Sequence, residues 1–334
     1  MKRRIFWLVL FTALSVGFTL ARDFRPSVEQ YRSIALQTVA PADRLGVTFL
    51  GVSTLLFRDR SATVLIDGFF TRPGFLATAL GRIEPDSNRI HDGLLLATID
   101  RLDAVIPAHS HYDHAMDSAL VAKLTGGVVV GSLSTANIAR GAGLSEERIH
   151  VVAGTETLQF GNLAVTLIPS KHFPHKVAMG EIRSPLQPPV RATAYLDGGS
   201  YSILIARGEQ SVLVQSSAGY VEGALSGRHA DVVYLGVGLL GSKDEAYRDA
   251  YWREVVTAVG ARRVIPIHWD DFTRGLDQPL VPVPYPLDNL DESMKFVTAR
   301  AALEGIDVRW PVVGARVDPF SALETSAYAA RQGR

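Results

Sequence analysis

Six consecutive residues, His109-Ser110-His111-Tyr112-Asp113-His114, constrain this chain more than any other feature. A chance match to three imidazoles and a carboxylate so spaced has a probability of roughly 10⁻⁴ to 10⁻³ in a chain of this length and composition. In an extended segment side chains alternate, so His109 and His111 project the same way, while Asp113 and His114 lie beyond the turn and can face a second ion. Imidazole and carboxylate are ligands suited to zinc, with iron and manganese as the other candidates. Such a cluster needs a rigid support. The apolar run Ala104 to Ile106 predicts a strand that delivers the chain into Pro107-Ala108-His109. The sequence contains no cysteine, which excludes disulfides, thiolate ligands and a cysteine nucleophile, so any metal must be held by histidine and carboxylate.

The rest of the chain is that of a globular protein. It has 334 residues, 47% of them hydrophobic, enough for a sizeable core. Lysine plus arginine balances aspartate plus glutamate at 34 each, so the overall charge points to no nucleic acid and no polyanionic partner. A small-molecule substrate is the expected partner, and nothing in the sequence indicates an oligomeric state. The N-terminus differs from the rest: Lys2, Arg3 and Arg4 precede an uncharged run from Ile5 to Ala21 that Arg22 and Asp23 end. This secretory pattern predicts export to a periplasmic or extracellular location, with residues 1–21 as a signal peptide. The alternatives are an uncleaved anchor, which would associate the protein with a membrane, and a buried first helix.

Residues 22–44 read as a linker with one short helix, 45–315 as the domain, and 316–334 as a C-terminal tail. Short β-rich stretches at 47–49, 53–57 and 62–66 open the domain. Strands follow at 104–106, 128–130, 149–152, 164–168, 201–206, 211–215, 232–235 and 263–267. Helices fit 74–80, 92–101, 115–123, 134–140, 243–259 and 290–303. This interleaving of hairpins and crossovers predicts an α/β (α+β) fold of two mixed sheets packed face to face, with helices outside.

The hexapeptide, the strand before it and Leu65-Ile66-Asp67-Gly68 some forty residues earlier resemble the metallo-β-lactamase superfamily over about residues 45 to 315. The resemblance implies a four-layer αβ/βα sandwich with metals at one edge of the sheets. It makes Asp67 the acid that fixes the metal-binding loop from behind. It also makes His172, after Ile168-Pro169-Ser170-Lys171, the partner of His109 and His111 at the first metal. His175, three residues on, competes for that place and is otherwise a residue of the substrate loop. His268, after Val264-Ile265-Pro266-Ile267, would join Asp113 and His114 at the second. Where many members carry a bridging aspartate, this chain reads Gln215-Ser216-Ser217-Ala218-Gly219, so Ser217 stands at the bridging position. A neutral hydroxyl is a poor bridge, and one or two zinc ions per chain are expected.

What the resemblance implies chemically is a hydrolase that uses a metal-activated water, with Asp113 orienting the water and carrying its proton. The stretch from Phe173 to Gly199 is long and non-periodic and is a candidate loop over the pocket. His268-Trp269-Asp270-Asp271-Phe272 is similar to the ending of the branch containing ascorbate-phosphate lactonase and N-acylphosphatidylethanolamine phospholipase D, which marks Trp269 as a second substrate-loop candidate. An ester, lactone or phosphodiester is therefore expected ahead of a β-lactam. An iron-dependent oxidoreductase on the same fold and a non-catalytic metal-binding protein are the readings of other classes.

Overall fold

The computed structural model describes residues 24–323, so the expected signal segment lies outside the described residues. Two seven-stranded mixed sheets face each other. The first runs in the order β14-β1-β2-β3-β4-β5-β6, made of Arg316–Val317, Gly46–Phe49, Leu55–Arg58, Thr63–Ile66, Ala104–Ile106, Val128–Gly131 and Ile149–Val151. The second runs β13-β12-β11-β10-β9-β8-β7, made of Asp307–Val308, Arg263–Ile267, Val232–Gly236, Gln210–Gln215, Ser200–Arg207, Leu163–Ser170 and Glu156–Phe160. The αβ/βα sandwich expected from the sequence is thus the observed fold.

Side-chain alternation builds its layers. Leu55 and Phe57 of β2, Val64 and Ile66 of β3, and Ala104 and Ile106 of β4 enter the core between the sheets. Their neighbours Leu56, Leu65 and Val105 turn to the opposite face, where they pack with Ile90, Leu94, Ala119 and Ala122 from the outer helices. Both faces are covered, so these strands read as continuous apolar runs instead of alternating ones. Full burial of each leucine or isoleucine contributes about 1.5–3 kcal/mol.

Strand direction decides where the site forms. In the first sheet β3 and β4 are parallel. In the second, β10, β11 and β12 are mutually parallel, and β8 and β10 are each antiparallel to β9, so β8 runs with them. The C-terminal ends of β8, β10, β11 and β12 therefore meet at one end of their sheet.

Several boundaries differ from those expected. From residue 24 on, the segment expected as a 22–44 linker is packed onto the domain: Tyr31, in a 3-10 turn over Glu29–Ile34, stacks on Trp310 at 4.5 Å, and Leu36 and Ala40 are buried. The domain does not end at 315, because Val317 pairs with Val47 and Phe320 and Leu323 are buried. The helix expected at 92–101 is Ser87–Leu96, started by Asp86, whose carboxylate accepts from the Asn88 and Arg89 amides. The one at 115–123 is two pieces, Tyr112–Ala115 and Ser118–Thr125. The one at 243–259 is Glu245–Trp252 followed by a π-helical turn, Arg253–Thr257. Among the described residues no helix is long and apolar enough to cross a membrane.

Candidate metal centre

Every expected ligand sits just past a strand end or in the first turn beyond one. Asp67 follows β3, His109 follows β4, His172 follows β8, Ser217 follows β10 and His268 follows β12. Asp113 and His114 lie in the Tyr112–Ala115 turn that His111 caps. Two of these residues hold backbone that only a braced site tolerates: Asp67 has φ 60° and His268 φ 58°. Left-handed non-glycine residues cost about 1–3 kcal/mol each and persist where surrounding contacts over-determine them. At His268 those contacts are identifiable. Its amide donates to the Val52 carbonyl at 2.7 Å, the Val52 amide donates to Asp270 Oδ1 at 2.7 Å, and Asp270 forms a fully buried ion pair with Arg72.

The side chains gather into two triads, His109, His111 and His172, and Asp113, His114 and His268, each with its ligand atoms within 4.8 Å of one another. Zinc–nitrogen bonds of 2.0–2.1 Å in a tetrahedron place neighbouring donors about 3.3 Å apart. His109 Nε2 and His111 Nδ1 are 3.1 Å apart, and His114 Nε2 and His268 Nε2 are 3.2 Å apart. Asp113 Oδ2 is 3.4 Å from His114 Nε2 and 3.5 Å from His268 Nε2. Lone pairs brought this close repel unless a cation or proton lies between them, so both triads fit a divalent ion.

Three of the ring nitrogens that face away from the triads are held. His114 Nδ1 donates to Asp67 Oδ2 at 2.8 Å, and Asp67 also accepts from the Ser53 hydroxyl at 2.6 Å and the Ala108 amide at 2.8 Å. Asp67 thus ties its loop to the strand end that carries His109, while orienting His114. His172 Nδ1 donates to the Phe173 carbonyl at 2.9 Å and His111 Nε2 to the Ala178 carbonyl at 3.2 Å. His109 Nδ1 is buried without a partner among the described residues. Backbone packs closely here as well: a Cβ on Gly219 would fall 2.2 Å from the Lys171 carbonyl oxygen, against the backbone of His172.

Electrostatics separate the triads. Burial, reinforced by the neighbouring imidazoles, holds His109 well below the usual histidine range and His172 down at about 3; burial also lowers His111. For His114 burial opposes the charge, but Asp67 and Asp113 outweigh it and raise the group to about 10. For Asp113 burial favours the neutral acid, yet His114 and His268 overcome it and hold the carboxyl well below its usual range.

A cavity of about 460 Å³ opens onto this cluster, lined by His111, Asp113, His172, Ser217 and His268 together with largely apolar walls. The expected substrate loop contributes Phe173, Val177, Ala178, Ala192, Thr193 and Tyr195. His175 is not among the lining residues. It stands against the His172 and His111 rings at 4.3 and 5.2 Å and contacts Asp197 at 3.5 Å. Ser217 accepts from the Phe173 amide at 2.8 Å, joining the β10 turn to the His172 segment. Trp269 is a correction. Its ring is buried in the core against Trp310 at 4.6 Å and Phe49 at 6.3 Å, so it is no substrate-loop residue. Asp270 and Asp271 also point elsewhere, to Arg72 and to Arg25 and Thr273. Sequence reasoning missed Ser53, Arg72, Phe272 and Asp288; the last two line the cavity, and none carries a local signal that would have marked it.

A two-sheet αβ/βα sandwich with clustered His and Asp ligands at its strand ends defines a metal-binding class of protein. A model of the beta-lactamase superfamily domain matches residues 62–269, and this chain belongs to that superfamily. Uncharacterized proteins of Mycobacterium tuberculosis and Mycobacterium bovis are each 25% identical to it over 299 residues, 83% of this chain and 70% of theirs. Solved structures share the fold. Igni18, a metallo hydrolase from Ignicoccus hospitalis, is 14% identical with a TM-score of 0.50, over 81% of this chain and 96% of that one. An isothiocyanate hydrolase from Delia radicum gut bacteria is 15% identical with a TM-score of 0.51, over 82% and 98%. CmlA, a diiron β-hydroxylase from Streptomyces venezuelae, is 18% identical with a TM-score of 0.53, over 84% of this chain and 55% of that one.

Proposed function

We propose that this chain is a metal-dependent hydrolase of the zinc type, acting on an ester, lactone or phosphodiester. The observation that carries the reading is the pair of ligand triads at donor spacings suited to zinc, opening together on one cavity. His109, His111 and His172 would hold one ion and Asp113, His114 and His268 a second. With divalent ions bound there, these residues would give the site a water of pKa near about 7 and a polarised carbonyl or phosphoryl group. The protein does the rest. Asp113, kept ionised by His114 and His268, accepts the proton of the attacking water and passes it to the leaving oxygen as the scissile bond breaks. Asp67 and Ser53 fix the tautomer and orientation of His114. Five imidazoles to one carboxylate make a nitrogen-rich set, which favours zinc over a carboxylate-bridged di-iron centre.

Metal analysis of purified protein, combined with a hydrolysis screen over ester, lactone, phosphodiester and β-lactam reporters, tests the proposal. Zinc-dependent turnover of one of the first three classes is expected. Bound iron with no hydrolysis would favour the oxidoreductase reading, and bound metal with no reaction a binding protein. The proposal includes export: the mature protein should begin near Arg22, and an intact Met1 on soluble cytoplasmic protein would contradict it.

A further inference from the structure

The cavity at the metal centre has a neighbour. A second cavity of about 340 Å³ is lined by Phe75, Thr78, Ala79 and Pro286 among others, and it shares Phe272, Val283 and Leu287 with the first. Phe272 stands between them. Its ring lies 6.1 Å from that of His268 and 6.2 Å from that of Tyr112, so the dividing wall begins at a metal ligand. Among the described residues no lysine or arginine lines either cavity. Lys243 lies over the rings of Phe173 and Tyr247 at 4.4 and 5.4 Å, and Arg25 pairs with Asp271 at 3.2 Å. Around the two cavities Val177, Leu287 and Leu239 remain exposed, as do Leu76 and Leu80 on the Phe75–Leu80 helix, which buries none of its residues.

From this arrangement the structure assigns an acyl subsite: the second cavity takes the far part of a linear apolar chain whose hydrolysable head lies at the metal triads, with Phe272 as the divider the chain passes. The inference rests on the first cavity being the substrate site of the proposed hydrolase, and it narrows the substrate to one bearing such a chain and no anionic group away from its hydrolysable head. Two features support the narrowing. A substrate with a second anionic group would find no cation in either wall to balance it. An apolar chain, in contrast, gains with each methylene that leaves water. The shared residues Phe272, Val283 and Leu287 make the second chamber a neighbour of the first on the side of His268.

The test needs no turnover, so its failure is separate from that of the hydrolase reading. Binding of linear 1-alkanols from butanol to dodecanol is measured by calorimetry on the full, zinc-loaded protein and on Ala79→Trp, which fills the second cavity from an exposed position. Thr78→Trp serves as an independent second variant. Wild-type affinity should rise about fourfold per methylene across the series, with a negative heat-capacity change. Both tryptophan variants should follow wild type for the short alcohols and lose the gain for the long ones. Affinity independent of chain length, or tryptophan variants that keep the full wild-type rise, would overturn the assignment. Chain-length-dependent binding by a protein that hydrolyses no ester would leave the subsite standing and sink the activity instead.

Discussion

The two triads lie at the same end of the fold and open on the same cavity, yet they are prepared for metal in opposite ways. His109, His111 and His172 are kept neutral by burial and one another, and the outer nitrogens of two of them donate to backbone carbonyls, His172 to Phe173 and His111 to Ala178. Asp113, His114 and His268 are charge-balanced: Asp113 lies within the triad, and Asp67 stands behind His114. The difference teaches that the first site has lone pairs ready at neutral pH, whereas the second must exchange a proton for its metal. It also assigns proton chemistry to the second site, which holds the carboxylate of the two triads, Asp113.

The comparison can be broken most severely at Asp113. Asp113→Asn keeps the size of the side chain but cannot accept the proton or balance the metal's charge. Turnover should fall by roughly 10² to 10⁴, with the first metal still present by elemental analysis. Near-normal turnover would mean that the proton goes elsewhere, and Asp288, buried in the same cavity wall, would be the next carboxylate to test.

A smaller effect is expected one step behind the ligands. Asp67→Asn leaves His114 in place but weakens its hydrogen bond, and loss of such a partner typically lowers metal affinity about 10–100-fold. Competition with a chromophoric chelator should show this loss at the second site and a nearly unchanged first site. Equal loss at both would mean that Asp67 acts chiefly through the Ala108 amide and the strand end bearing His109.

The mildest change sharpens the comparison instead of breaking it. Ser217 lines the cavity with both His172 and His268, where its hydroxyl accepts from the Phe173 amide. Ser217→Asp should tighten the second metal, read in the same chelator competition. An unchanged affinity would show that Ser217 does not stand between the ions.

What could be read from the chain in advance followed from local pattern. His109, His172 and His268 were legible because each directly follows an apolar strand, and the paired sheets were legible in the strand runs. Trp269 was misread because adjacency to a ligand does not say which way a side chain points. At the end of β12, with His268 turned left-handed, His268 faces the cavity and Trp269 the core. Arg72 and Asp270 are 198 positions apart, and Ser53 and His114 are 61 apart, so their contacts exist only once the sheets are assembled. The edge strand β7 escaped because Glu156–Phe160 is only half-buried on one face, and β14 because two residues carry no period. The domain limits failed for the same reason: Tyr31, Val317 and Phe320 are apolar residues in otherwise polar company, and tertiary packing alone recruits them.

The most direct test of two unlike sites is a calorimetric titration of metal-free protein with zinc at pH 7, repeated in two buffers of different ionisation enthalpy. Without metal, the His114 charge with its two carboxylates contributes stability that is fully present below about pH 6.5 and is lost as pH rises through about 10. At pH 7 the second site therefore still holds its proton, while the first, with His172 at about 3, holds none. The account predicts two binding events per chain, one independent of buffer and one that releases close to one proton. A single event, or two events with the same proton release, would contradict it.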